Sequence, residues 1–186
     1  MKKFPFYKQP DSKDCGSTCL RIIARYYNKS VSLQKVRDLS ETTREGSSLQ
    51  GLSNAAETLG FKSLGVKIDF KTFHEEVPLP CIVHWNKKHF VVVYHIDNKR
   101  KVYISDPSYG LITYNEQEFI KCWIGENADD STEEGITLLL ETTPAFFENE
   151  YEERENKASF SFLSKYLQKY NYKTSSNRIK YKKNSK

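Results

Sequence analysis

The sequence predicts an α+β fold with its helices first and an antiparallel sheet after them. Apolar residues in the first third recur at helical spacing, and from Phe61 onward the pattern changes to short β-rich runs. The connections between those runs are too short for crossover units, so successive strands pair antiparallel. A length of 186 residues suits one core better than two.

The first helix spans 14–27, where Cys15, Cys19, Leu20, Ile23 and Tyr27 share a face and Asn28 ends the run. Ser32 caps a second short helix through Leu33, Val36 and Leu39. Ser47 or Ser48 caps a third, with Leu49, Leu52, Ala56 and Leu59 inward and Gly60 just past its end. Strands are expected at 61–68, 81–85, 89–96, 101–105, 111–114 and 136–141. Asn86-Lys87-Lys88, Asp97-Asn98-Lys99 and Asp106-Pro107-Ser108-Tyr109-Gly110 mark turns between them. Asn115 followed by Glu118 reads as a capping box that opens one more helix. Past Pro144 an acidic stretch, 148–155, reads as a linker or helix start. Phe160, Leu163, Leu167 and Tyr170 then fall on one helical face beside Lys165 and Lys169, and 173–186 reads as a basic, disordered tail.

Charge is unevenly placed. All 24 acidic side chains precede Leu163, as do 21 of the 29 basic ones, so 1–162 carry −3 and 163–186 carry +8. The net charge of +5 therefore belongs to the tail, which suits an anionic membrane face better than nucleic acid. No run approaches the roughly 18 apolar residues of a membrane span, and the start lacks the apolar core of a signal peptide. A cytosolic protein is expected, with Cys15, Cys19, Cys81 and Cys122 as free thiols.

Cys15 falls in the first turn of the first helix, where unpaired N–H groups and the helix dipole favour a thiolate nucleophile. Gly16 is expected to leave open space beside the sulfur for a substrate backbone. A small buried hydrophobe is the competing reading of Cys15. A thiol nucleophile needs a base and the base an orienting group. Of four histidines, His89 begins the most apolar strand just after a turn, which suggests a sheet edge near a cleft. His84 and His95 lie within strands, and His74 sits in a polar turn. Asp106 ends the following strand and returns to the level of His89, although Asp before Pro107 also starts a turn. Gln9, six residues before Cys15, can fold back as an oxyanion donor or stand as an ordinary surface residue. The spacing of Cys15, Cys19, His84 and His89 matches zinc sites poorly. Phosphate-cradling Gly-rich loops and nucleic-acid motifs are absent.

These residues resemble the C39 peptidases, the papain-like domains of bacteriocin-processing ABC transporters. The likeness runs from Gln9-Pro10-Asp11-Ser12-Lys13-Asp14-Cys15-Gly16 through Cys19-Leu20, Tyr26-Tyr27, Arg44-Glu45-Gly46-Ser47-Ser48-Leu49-Gln50-Gly51-Leu52 and Ala55-Ala56-Glu57. It continues in Leu79-Pro80-Cys81-Ile82-Val83-His84-Trp85, His89-Phe90-Val91-Val92-Val93-Tyr94, Asp106-Pro107, Gly110, Phe119, Trp123-Ile124-Gly125 and Leu138-Leu139-Leu140-Glu141 to Pro144. The resemblance implies Cys15 as nucleophile, His89 as general base and acid, Asp106 as orienter and Gln9 as oxyanion donor, with no metal or cofactor.

It further implies an endopeptidase that removes double-glycine leaders, Gly-Gly or Gly-Ala, from bacteriocin-like precursors in step with export. The alternative is a non-catalytic domain that docks the leader. Trp85 and Tyr109 are expected to border a narrow cleft at the scissile bond, and Leu49 and Leu52 to face an apolar leader. Implied partners are the leader peptide and the transmembrane and ATP-binding parts of an exporter, at the inner face of the bacterial membrane. Ser17-Thr18 departs from the family pattern, and the chain stops where such transporters continue. The expected layout is a peptidase domain at 1–146 and a connection at 147–186, in either an excised domain or a naturally short protein.

Overall fold

The computed structural model describes residues 3–125 and 134–148, all within the unit Met1–Glu152. A 3-10 turn, Ser12–Asp14, leads into α1 (Cys15–Tyr26), followed by α2 (Leu33–Leu39) and α3 (Leu49–Thr58). Then come β1 (Phe61–Ile68), α4 (Phe70–Glu76), β2 (Cys81–Trp85), β3 (His89–Ile96), β4 (Val102–Asp106) and β5 (Gly110–Tyr114). The last elements are α5 (Glu116–Trp123), β6 (Gly135–Thr142) and α6 (Pro144–Glu148). The strands form one sheet, ordered β1-β6-β2-β3-β4-β5, with every pairing antiparallel. The α+β architecture agrees with the sequence.

Local chemistry sets the helix starts. Ser32 and Ser48 accept from the N–H groups of Lys35 and Gly51 at 3.1 and 2.9 Å, capping α2 and α3. Asn115 and Glu118 exchange the two bonds of a capping box at 3.0 and 2.9 Å. Two short helices, α4 and α6, escaped the sequence reading, and His74 lies in α4, not in a turn. Asp69 caps α4 by accepting from Thr72 N at 2.8 Å, and Phe70 and Phe73 are its buried residues. The apolar residues of α4 are Phe70 and Phe73 alone, short of the Leu33, Val36 and Leu39 spacing that marks the equally long α2.

Two apolar layers sandwich the sheet. Leu20, Ile23, Leu52, Ala56, Phe90, Val92 and Leu138 join α1, α2 and α3 to one face. Phe70, Phe73, Val83, Trp85, Val91, Val93, Phe119 and Trp123 join α4 and α5 to the other. Alternate residues of β3 thus serve opposite cores, which explains the unbroken apolar run Phe90-Val91-Val92-Val93. Phe146 of α6 is buried in the first layer, and its carbonyl accepts from Lys29 Nζ. Glu148 closes α6, while the rest of the acidic stretch, the helix expected over 160–170 and the basic tail lie outside the described residues.

Candidate active site

Cys15 is the first residue of α1 and is 5% exposed. The helix sits on the sheet beside β3, whose first residue is His89. Because β4 runs antiparallel to β3, its last residue, Asp106, comes back to the start of β3. Asp106 Oδ1 lies 2.9 Å from His89 Nε2 and also accepts from Ser108 N at 2.8 Å, so the β4–β5 turn holds the buried carboxylate in place. With Nε2 committed to Asp106, Nδ1 is the ring atom left for Cys15, whose side chain acts on the same imidazole. Burial disfavours the charged ring, but Asp106 and Cys15 outweigh it and lift His89 to about 9. The set can hold a thiolate beside an imidazolium oriented by a carboxylate.

The other candidates are separated by their surroundings. Burial pushes the thiols of Cys19, Cys81 and Cys122 up, and Cys19 donates to the Phe90 carbonyl at 3.2 Å. Burial also pushes His84 down, beside the Phe90 ring. His95 packs on Tyr103 and His74 on Phe70, and among the described residues only His89 has a carboxylate partner. No group of three or more His, Cys, Asp and Glu side chains among the described residues is placed to hold a metal ion. His89 belongs to an interior strand, so it reaches the site from a strand end and not from a sheet edge.

Gln9 donates its backbone N–H to the Pro107 carbonyl at 2.9 Å, which seats the N-terminal segment against the turn that carries Asp106. Its side-chain oxygen is buried without a hydrogen-bond partner among the described residues. Tyr109 stands at the tip of the same turn, 82% exposed.

Three expectations need correction. Gly16 opens no space: a Cβ there would meet Leu52 Cδ1 at 2.8 Å and Phe90 Cδ2 at 3.2 Å, so the glycine lets α1 approach α3 and β3 closely. Leu52 is fully buried in that contact and cannot face a leader. Trp85, 4% exposed, packs its ring against Tyr114 and Phe119 in the opposite apolar layer, so almost none of it is open to a substrate. Leu49 is half-buried and lines a hollow of about 390 Å³ between α3, β1 and β6, with Val66 and Ile136. A larger hollow of about 900 Å³ between Phe4, Tyr26, Tyr94 and Tyr103 lies toward the opposite end of β3 and includes none of Cys15, His89 or Asp106.

The model of the peptidase C39 family matches residues 3–128. The chain belongs to the peptidase C39 family. Among characterised C39 relatives, the lactococcin-G-processing and transport ATP-binding protein LagD of Lactococcus lactis subsp. lactis is 36% identical over 130 residues. That match covers 67% of this chain and 18% of LagD. The chain thus spans about a fifth of the length of the curated relatives it matches. Crystal structures of C39 domains share the fold. A double glycine motif protease from an AMS/PCAT transporter, in complex with the leader peptide, is 30% identical with a TM-score of 0.67, covering 76% of this chain and 93% of that one. The peptidase domain of Streptococcus ComA, a bi-functional ABC transporter, is 27% identical with a TM-score of 0.64, covering 76% of this chain and all of that one.

Proposed function

We propose that this chain is a cysteine endopeptidase that removes double-glycine leaders from bacteriocin-like precursor peptides, working with the transmembrane and ATP-binding parts of an exporter at the inner membrane face. The observation that carries the reading is the 2.9 Å bond from His89 to Asp106 with Cys15 on the same ring at a helix N-terminus, in a C39 family member. The Cys15 thiolate attacks the carbonyl carbon of the second glycine, forming a C–S bond and an oxyanion. The Gln9 side-chain amide and the Cys15 backbone N–H stabilise that charge. As the intermediate collapses, the C–N bond breaks and the His89 imidazolium gives its proton to the leaving amine. His89 then takes a proton from water, which attacks the thioester and releases the leader's carboxylate and the thiolate. Asp106 keeps the ring oriented and its cation stabilised throughout. The hollow lined by Leu49 is the apolar seat for the leader, and Tyr109 borders the scissile bond. The peptidase body runs through α6, with the residues beyond it forming the connection to the membrane parts.

The test uses purified chain under reducing conditions and a synthetic precursor carrying a Gly-Gly leader, followed by mass spectrometry. Wild type is expected to cut after the second glycine, while Cys15→Ala binds the leader without cutting. Folded wild type that binds leader but never cuts would instead establish a docking domain, and unimpaired cutting by Cys15→Ala would move the nucleophile elsewhere.

A further inference from the structure

The residue directly before Cys15 is a fully buried carboxylate, and its hydrogen bonding is unusual for its position. Asp14 is the N-cap of α1, where an aspartate ordinarily accepts from N–H groups of the first turn. It makes no such bond. Both of its oxygens turn instead to Arg37 of α2, with Nε 2.7 Å from Oδ1 and Nη2 2.6 Å from Oδ2. The fork is bidentate, and the carboxylate is 0% exposed while Arg37 reaches solvent.

The α2–α3 loop that follows Arg37 is fastened to α1 a second time. Ser17 Oγ lies 3.1 Å from Ser40 Oγ, 2.9 Å from Thr42 Oγ1 and 3.3 Å from Ser47 Oγ. Ser40 also donates to the Val36 carbonyl at 2.8 Å. Two anchors, at Asp14 and Ser17, thus bracket the turn that begins with Cys15. Asp11 before the helix and Asp38 on α2 are the other charges acting on Arg37, and Gln34 Oε1 accepts from it at 3.4 Å.

Without its guanidinium partner, the Asp14 carboxylate would be a buried, unpaired charge one residue from the nucleophile. The released carboxylate would turn to N–H groups of the α1 first turn, as an aspartate at the N-cap ordinarily does. There it would oppose both the thiolate and the oxyanion. We propose that Arg37 is a positioning residue for the reaction: by holding the Asp14 carboxylate away from the α1 N-terminus, it leaves the helix N–H groups and dipole to Cys15. The inference rests on Cys15 being the nucleophile.

The experiment measures iodoacetamide alkylation of Cys15 in the full chain against pH, with the modified peptide identified by mass spectrometry. Its readout needs no peptide substrate, so its failure is distinct from failure of the Cys15→Ala cleavage test. Arg37→Gln is expected to move the acid limb up by about one pH unit, a loss of about tenfold in rate at low pH. Asp14→Asn, which removes the charge, is expected to alkylate at low pH at least as fast as wild type. The double variant Asp14→Asn/Arg37→Gln is expected to return to within about threefold of wild type, a rescue that a merely structural bridge would not give. An Arg37→Gln profile that superimposes on wild type, or a double variant as slow as Arg37→Gln, overturns the proposal. Should Arg37→Gln fail to fold, Asp14→Asn decides alone, because slower alkylation than wild type at low pH contradicts it.

Discussion

Replacing Asp106 with Asn isolates the charge of the orienting group from its geometry. The asparagine Oδ1 can still accept from His89 Nε2 and from Ser108 N, the two bonds Asp106 Oδ1 makes at 2.9 and 2.8 Å, so ring position is retained and only the negative charge is lost. His89 is lifted from 6.5 to about 9 against the effect of burial, with the Asp106 bond first among the causes that raise it. That interval corresponds to about 3 kcal/mol in favour of the imidazolium, discounted to about 2 kcal/mol because the ring edge reaches solvent. Removing most of it predicts a loss of roughly 10- to 30-fold in kcat/KM near neutral pH. The alkaline limb of the pH profile should also fall from about 9 toward about 7, since the imidazolium then deprotonates earlier.

Stability carries the same signature. A histidine raised in the fold stabilises fully below its ordinary value of 6.5, and that contribution is lost as pH climbs through about 9. Urea midpoints of wild type should therefore drop between about pH 6.5 and 9, and those of Asp106→Asn should finish their smaller drop nearer 7. Cleavage rates of a Gly-Gly peptide across the same pH range supply the kinetic half of the assay. If Asp106→Asn keeps its rate within about threefold and its alkaline limb stays near 9, the carboxylate is not what holds the His89 proton.

Three further outcomes are expected. Gln9→Ala should lower kcat by about a hundredfold or more with little change in KM, whereas a rise in KM alone would make Gln9 a ground-state contact and not an oxyanion donor. Leu52→Ala should cost about 2–5 kcal/mol in urea unfolding, while Leu49→Ala should cost much less and raise KM for leader-bearing substrates; the reverse pattern would return Leu52 to the leader groove. Gly60→Ala meets a φ of +92° and places its Cβ 2.5 Å from the Phe146 Cα and N, so it must displace α6. It should cost about 3 kcal/mol by calorimetry, and a cost under about 1 kcal/mol would mean that α6 is not seated there.

Much of this molecule is written in short stretches of chain. The caps at Ser32 and Ser48, the Asn115–Glu118 box and the placement of Cys15 at a helix start are legible because each depends on residues three or four positions apart. The six strands likewise follow from local pattern and turn residues. The α4 helix was not legible, because its two phenylalanines are its only apolar residues, whereas the equally short α2 spaces three. Gly16, Leu52 and Trp85 were misplaced for a different reason: whether an apolar or small residue lines a cleft or fills a core depends on what the fold sets against it.

By itself, then, the sequence determined the order and type of the elements and confined the chemistry to a few nominated side chains, because hydrogen bonds within a turn and burial of one face act over neighbouring residues. Only the tertiary structure set Asp106 2.9 Å from His89 across the β3–β4 pair and brought Arg37 onto the buried carboxylate 23 residues earlier. Those choices rest on strand register and on helix packing against the sheet, where the partners that decide a residue's role come from distant parts of the chain.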